Sequence, residues 1–202
     1  MVNRLKAVYI ENRSWLLLAT SLFILSYTFS FMSLTREPQL FALFEEKAIP
    51  FIRELGDLVF SGNPFIGCFI LFTHNLTISL QVIILGIILG IPSLFSTLGN
   101  GTMLGAVAAL LAQEGIIPLH FFIFGILPHG IFELPAFLIS AAFGLKLGYH
   151  IVFPLPDQGR KATLKQIFNE IKNALPLIIS MLAIAALLEV FVTPGLIRAF
   201  LQ

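Results

Sequence analysis

Charged side chains are scarce in this sequence, and their scarcity excludes an ordinary water-soluble protein. Asp, Glu, Lys and Arg make up 11% of the 202 residues, whereas soluble domains carry about a quarter. Hydrophobic residues make up 57% of the chain. Such a chain cannot cover its surface with polar groups, so lipid must be part of its solvent. The formal net charge of +1 gives no basis for nucleic-acid binding.

The sequence also lacks the motifs of several enzyme classes. Its single cysteine, Cys68, excludes an internal disulfide, and the apolar residues around it indicate a small buried side chain. There is no His-Glu-x-x-His zinc motif, no nucleophile elbow around a serine or cysteine, and no glycine-rich phosphate loop. These absences predict no catalytic residue of the familiar kinds.

Long apolar stretches are what the sequence has instead. A membrane-spanning helix needs about 20 mostly apolar residues, and five stretches meet or approach that length: 15–34, 64–91, 100–112, 116–150 and 174–192. The first has no cleavage site after it, so we interpret it as a retained signal anchor. The predicted fold class is all-α: a polytopic helical membrane protein of about five transmembrane helices, in a single domain over 1–202.

The region 99–150 has two possible arrangements. Pro118, Pro128, Gly130 and Pro135 interrupt its apolar sequence, and such residues kink or end helices. The region forms either a short helix followed by a broken helix, or two re-entrant half-helices followed by a full span. In both cases the irregular backbone must be buried in protein or line a cavity.

Basic residues predict the orientation in the membrane. Three lie in the N-terminal segment and five in the loop 146–172, whereas 35–63 has three against five acidic residues. With five spans the two basic segments share a side. We therefore predict a multi-pass protein of the cell membrane with a cytoplasmic N-terminus. The basic residues concerned are Arg4, Lys6, Arg13, Lys146, Arg160, Lys161, Lys165 and Lys172.

Two connecting segments have amphipathic patterns. The outer loop 36–63 contains a helix opened by Pro50, with an apolar stripe opposite Arg53 and Asp57. This helix lies either in the lipid headgroups or against a protein partner at the outer face. The cytoplasmic loop 151–174 has apolar residues at helical spacing opposite lysines, which is typical of a helix lying on anionic lipid.

Three pairs of glycines stand four residues apart, a spacing that lets two membrane helices approach closely. Such pairs suit either tight packing within the chain or the seam of a homodimer. The pairs are Gly86 and Gly90, Gly101 and Gly105, and Gly144 and Gly148.

Polar residues within the predicted spans are the candidates for function, because each is costly in lipid. His129 and Glu133 lie four residues apart and therefore share a helix face. They suit a divalent metal ion such as zinc, a proton relay or transported ion, or a hydrogen-bonded pair that holds the broken helix. A catalytic zinc needs a third ligand, for which His120 is the first choice and His74 the alternative. The other polar residues at membrane depth are His74, Asn75, Asn100 and Glu189.

A motif in the fourth stretch resembles the stage II sporulation protein M family of bacterial and archaeal membrane proteins. The run Leu127–Ala136 carries the resemblance, which covers about 60–150. It implies a helical membrane protein of about five spans. By analogy with the family member in spore-forming bacteria, it also implies a membrane anchor for cell-wall-remodelling enzymes. The other matching positions are Asn75, Gly90, Ile91, Pro92, Ser93, Asn100, Gly101, Gly105 and Gly144.

Three functions are compatible with the sequence. The first is a membrane scaffold or anchor that recruits partner proteins, with a homodimer as one form. The second is a small-solute or ion transporter or channel with its site at His129 and Glu133. The third is an intramembrane metal-dependent hydrolase. The resemblance favours the scaffold, which is not an enzyme.

Overall fold

The computed structural model describes residues 2–115 and 118–200, and the side chains of 10–50, 52–115 and 119–200. The side chains of Arg4 and Lys6, and the predicted start of the fourth span at 116, lie outside the described residues. Within these ranges the chain forms α-helices, one π-helical turn and no strand. The elements are α1 (Val2–Arg36), α2 (Pro38–Phe60), α3 (Pro64–Leu85), α4 (Ile91–Gln113), α5 (Pro118–Phe121), the π turn (Phe122–Ile126), α6 (Leu127–Val152), α7 (Arg160–Phe191) and α8 (Thr193–Phe200).

Five helical segments are long and apolar enough to cross a membrane. Large apolar side chains cover their outer surfaces; Phe29 and Phe65, for example, are both 75% exposed. Such surfaces require lipid around them. The predicted fold class, all-α with about five transmembrane helices, is therefore confirmed. The segments are Ile10–Arg36, Pro64–Leu85, Ile91–Gln113, Leu119–Val152 and Arg160–Phe191.

The spans alternate in direction and define two ends of the bundle. We call the end at which the first span begins the proximal end; it also holds the turn 86–90 and the loop 153–159. The distal end holds α2, the connection after α4, and α8. At the distal end Gln113 Nε2 donates to the carbonyl of Leu34 at 3.2 Å, which ties α4 to α1.

Lys146 forms a buried polar cluster at the proximal end. Its ammonium group donates to Asn12 Oδ1 at 2.7 Å and forms an ion pair with Glu170. The side chains of Lys146 and Glu170 are 7% and 14% exposed. Because Asn12 belongs to α1, Lys146 to α6 and Glu170 to α7, the cluster joins three helices.

The boundary between the second and third spans differs from the prediction. α3 ends at Leu85, and α4 runs without interruption from Ile91 to Gln113. The prediction of one stretch to residue 91 and a short helix from 100 was wrong. Leu89 and Gly90 have left-handed backbone conformations, with φ of 53° and 72°, and they reverse the chain within an apolar sequence.

A hydrogen bond across this turn fixes the start of α4. Ser93 is fully buried, and its Oγ donates to the carbonyl of Val82 at 2.7 Å. That carbonyl needs a new donor, because the N–H of Gly86 turns to the carbonyl of Ile83 as α3 ends. The side chain of Ser93 supplies it and holds α4 against α3.

The fourth span is a single broken pass and not a pair of re-entrant half-helices. It runs from Leu119 to Val152 and contains the π turn, in which the N–H of Leu127 donates to the carbonyl of Phe122. Pro128 follows directly. A proline has no N–H and clashes with the carbonyl four residues earlier in a regular helix, and the wider turn relieves that clash.

The two amphipathic segments also differ in extent from the prediction. α2 covers 23 residues, with Pro50 inside it. The segment predicted as a separate surface helix in 151–174 begins at Arg160 and is continuous with the last span, as the first half of α7.

Two of the glycine pairs pack α6 against α3 and the turn that follows it. A Cβ built on Gly86 would overlap the backbone of Gly144. A Cβ built on Gly148 would overlap the backbone of Gly90. The helices therefore approach until their backbones touch, which only glycine permits.

The third glycine pair packs α4 against α1. A Cβ on Gly101 would overlap the carbonyl of Phe23, and one on Gly105 would overlap the carbonyl of Tyr27. These contacts, like those of α6, lie within one chain.

An apolar layer between α6 and α7 separates the two ends of the bundle. Ile139, Phe143, Ile178 and Leu182 are between 0% and 6% exposed and pack in one cluster. This layer lies between the Lys146 cluster at the proximal end and a cavity at the distal end.

Candidate metal centre

A cavity of about 750 Å³ opens at the distal end, bounded by α2, the start of α3, α4, α5 with the π turn, α6, α7 and α8. Gly62 and Pro64, in and next to the loop before α3, lie at its rim. Its walls are mostly apolar, so its few polar groups stand out. Those groups are His129, Glu133, Glu189, Thr193 and Arg198.

Two of the polar residues come from the first turns of α6. His129 and Glu133 lie one turn apart, so both side chains project from the same face. The π turn ends directly before α6, and Pro128 lies in the first turn of that helix. π-helical turns are frequent at functional sites, and this one determines how α6 enters the cavity wall.

Glu189 of α7 completes a cluster with these two residues. His129 Nε2 lies 3.8 Å from Glu189 Oε2, and the two side chains are 13% and 23% exposed. One ligand atom from each of His129, Glu133 and Glu189 lies within 4.8 Å of the other two. Among the described residues no other three His, Cys, Asp or Glu side chains come as close together.

Thr193 orients the imidazole of His129. Its Oγ1 lies 3.3 Å from His129 Nδ1, and its hydroxyl donates to the carbonyl of Leu188 at 3.2 Å. Because the hydroxyl proton is used in that bond, the oxygen accepts from Nδ1–H. In the neutral imidazole the lone pair is then on Nε2, the atom that faces Glu189. Metal-binding histidines usually have their second nitrogen held in this way.

The arrangement fits a bound cation better than a direct ion pair. Two carboxylates and an imidazole nitrogen with a free lone pair are all acceptors, and 3.8 Å exceeds the length of a hydrogen bond. Zinc binds such oxygen and nitrogen atoms at about 2.0–2.2 Å in a tetrahedron. Neighbouring ligand atoms are then roughly 3.3 Å apart, so a small closing movement of the cluster would complete the site.

The third member of the cluster is not the one that the sequence suggested. His129 and Glu133 lie together, but Glu189 occupies the third position in place of His120 or His74. His120 is exposed in α5, and His74 lies in α3. The sequence marked Glu189 only as a polar residue at membrane depth, because spacing along one helix says nothing about a partner on another.

Two further polar positions of the prediction lie apart from the cluster. Asn75 is in α3, and its Nδ2 is buried without a hydrogen-bond partner among the described residues. Asn100 is in the middle of α4, where it is exposed and its Nδ2 donates to the carbonyl of Ser96 at 2.9 Å.

Apart from most of α8, the elements that build the cavity lie within a match to a known family. The family model described as Stage II sporulation protein M matches residues 16–194. The chain belongs to the stage II sporulation protein M family. An uncharacterized protein of Methanocaldococcus jannaschii is 30% identical to it over 124 residues, which are 61% of this chain and 69% of the relative. No solved structure matches the chain.

Membership of the stage II sporulation protein M family confirms the resemblance found in the sequence. With the five apolar helices it also confirms a multi-pass membrane protein. In this member of the family the matching positions have distinct structural places. Leu127–Ala136 carries two residues of the cluster, Gly90 lies in the turn between α3 and α4, and Ser93 ties the start of α4 to α3.

Proposed function

We propose that this member of the stage II sporulation protein M family is a metal-dependent hydrolase with its active site in the distal cavity. The observation that carries the proposal is the convergence of His129, Glu133 and Glu189 within 4.8 Å. Three protein ligands leave a coordination position open, as in catalytic zinc sites. A zinc ion held by these three residues would activate a water molecule at the open position as a nucleophile at neutral pH.

Two features favour a hydrolase over a transporter. The cavity opens at the distal end, and the apolar layer of Ile139, Phe143, Ile178 and Leu182 lies between it and the proximal end. An open channel would need a path for the ion through that layer, and a transporter would need a movement that opens it. In addition, the hydrogen bond from His129 to Thr193 holds a ligand in place, which suits a resident ion.

Zinc binding by purified variants tests the proposal. We expect wild-type protein stripped with a chelator to take up one zinc per chain, measured by elemental analysis and by competition with a chromogenic chelator. Glu189→Gln removes a ligand with little change of shape, and it should weaken binding at least about 100-fold, since even loss of a group behind a ligand costs about 10- to 100-fold. Thr193→Val, which removes only the support of His129, should weaken binding about 10-fold.

Melting temperatures separate a metal site from a structural His–Glu pair. Without metal, Glu189→Gln should be at least as stable as wild type, because one of two neighbouring carboxylates has been neutralised. Zinc at 100 times the wild-type Kd should stabilise wild type by about 2.7 kcal/mol and Glu189→Gln by no more than about 0.4 kcal/mol. Glu114→Gln is the matched control, since Glu114 is exposed outside the cluster. A wild type that binds no zinc, or a metal-free Glu189→Gln less stable than wild type, contradicts the proposal.

The orientation predicted from basic residues puts the cavity on the outer side of the membrane, and cysteine labelling tests it. The chain has one cysteine, so Cys68→Ser gives a clean background. In intact cells Gly62→Cys should react with a membrane-impermeant maleimide, whereas Gly159→Cys should react only after lysis. Neither glycine has atoms close to the position of an added Cβ. Labelling in the reverse pattern would mean that the N-terminus is outside.

A second candidate function, anchoring of partner proteins at the distal end, is supported by α2. Leu40, Leu43 and Leu58 of this helix are 47%, 54% and 57% exposed, and the family resemblance implies such a role. We expect wild type in native membranes to cross-link to partner proteins, among which we count a second copy of this chain. The variant Leu43→Asp should lose these cross-links and keep its zinc binding. If wild type and Leu43→Asp cross-link to the same proteins, α2 is not the anchoring surface.

A further inference from the structure

An apolar groove of about 480 Å³ lies beside the distal cavity, between α1, α4 and the segment of α5 and the π turn. Its lining is apolar except for the hydroxyl of Tyr27. Ile24 and Leu119, which line it, are 55% and 62% exposed, so the groove is open at the surface of the spans. At that surface the neighbours of the protein are acyl chains.

The groove and the distal cavity are adjacent and share part of their lining. Leu104, Phe121, Ile126 and Leu134 line both of them. Leu134 directly follows Glu133, and Glu133 lines the cavity but not the groove. A molecule with an apolar chain in the groove would therefore have its polar end beside the metal ligands.

The charges of the cavity indicate the nature of that polar end. The carboxylates of Glu133 and Glu189 would balance a divalent ion, and the guanidinium of Arg198 would then leave a net positive charge. Arg198 is exposed at the cavity rim and has no ion-pair partner among the described residues. Arginine and metal ions both bind phosphate oxygens well.

We infer that the ligand of the distal cavity is a membrane phospholipid. One acyl chain occupies the groove, and the phosphate lies between the metal ligands and Arg198. This inference rests on the proposed function and names its substrate class. A soluble phosphate compound makes no use of the groove, and a neutral lipid makes no use of Arg198, whereas a phospholipid uses both.

Native mass spectrometry of the zinc-loaded protein in detergent, titrated with dioleoyl phosphatidylglycerol, tests the inference. We expect one bound lipid per chain. Dioleoylglycerol, which lacks the phosphate, and glycerol 3-phosphate, which lacks the chains, should each bind at least about 10-fold more weakly, because each loses one of the two recognition elements.

Two variants assign the binding to the groove and to Arg198. Ala108→Phe fills the groove from α4, and Arg198→Gln removes the guanidinium; each should weaken phosphatidylglycerol binding at least about 10-fold and leave zinc binding unchanged. Ala42→Phe, at an exposed alanine of α2, is the matched control. Arg198→Gln keeps the test valid even if Ala108→Phe does not fold, because Arg198 is exposed.

The outcomes separate the inference from the proposed function. If Arg198→Gln binds phosphatidylglycerol like wild type, the phosphate does not lie beside Arg198 and the inference as stated fails. If glycerol 3-phosphate binds as tightly as the lipid, the phospholipid is excluded as the ligand. In both cases the zinc site stands. If the wild type does not bind zinc, the proposed function fails and this inference fails with it.

Discussion

Gly148→Val should abolish folding of the protein. The Cβ of any larger residue at 148 would overlap the backbone of Gly90 and Leu89, so the contact between α6 and the 86–90 turn must open. Overpacking of a well-packed site costs about 1–3 kcal/mol when side chains can adjust, and backbone atoms adjust less. We expect the loss to exceed about 3 kcal/mol. The measurement is the yield of protein extracted from membranes in monodisperse form, with its melting temperature.

Gly99→Val is the control for this substitution. Gly99 is also helical, but nothing lies within 4 Å of the position of an added Cβ. The valine there should be neutral or slightly stabilising, since glycine is the weaker helix former. Equal yields and melting temperatures for the two valine variants would show that α6 does not pack on the 86–90 turn through Gly148.

Lys146→Met should destabilise the protein by a comparable amount, by leaving the largely buried Glu170 without its cation. Breaking a buried ion pair on one side costs about 3–5 kcal/mol. Replacing both partners, as Lys146→Met with Glu170→Leu, should recover most of that loss, because no uncompensated charge remains. The melting temperatures of wild type, both single variants and the double variant give the coupling between the two residues.

The exposed pair of Lys47 and Glu46 is the control for the buried one. Its nitrogen and oxygen lie 2.7 Å apart, but the side chains are 70% and 68% exposed. Exposed pairs contribute about 0–1 kcal/mol, so Lys47→Met should change the melting temperature little. A Lys146→Met variant as stable as Lys47→Met would mean that the proximal cluster does not hold α1, α6 and α7 together.

The sequence predicted the number of spans because apolar length determines which segments cross a membrane. It did not predict where α3 ends. The turn 86–90 contains no polar residue, so hydropathy continues through it, and only Gly86 and Gly90 mark the reversal. The contact of these glycines with α6 determines that the chain turns there, and such a contact between helices leaves no pattern within one segment.

The same limit applies to the candidate site. The spacing of His129 and Glu133 was visible, because residues four apart share a helix face. Glu189 and Thr193 were not assigned to them, since they reach the cavity from other helices, α7 and α8. Their roles depend on how α7 packs against α6, and a single sequence does not contain that information.

The π turn at Phe122–Ile126 has a consequence for the direction of the residues before it. Each residue of an α-helix advances the side-chain direction by about 100°, and a π turn holds one extra residue. Deleting a single residue from 122–126 would remove that extra residue and bring Pro128 back against the carbonyl four residues before it. Phe121, which lines both cavities, would then rotate away from them by about a quarter of a turn or more, while His129 stayed in place. A one-residue deletion there would thus change the shape of the cavities without altering any residue of the metal cluster.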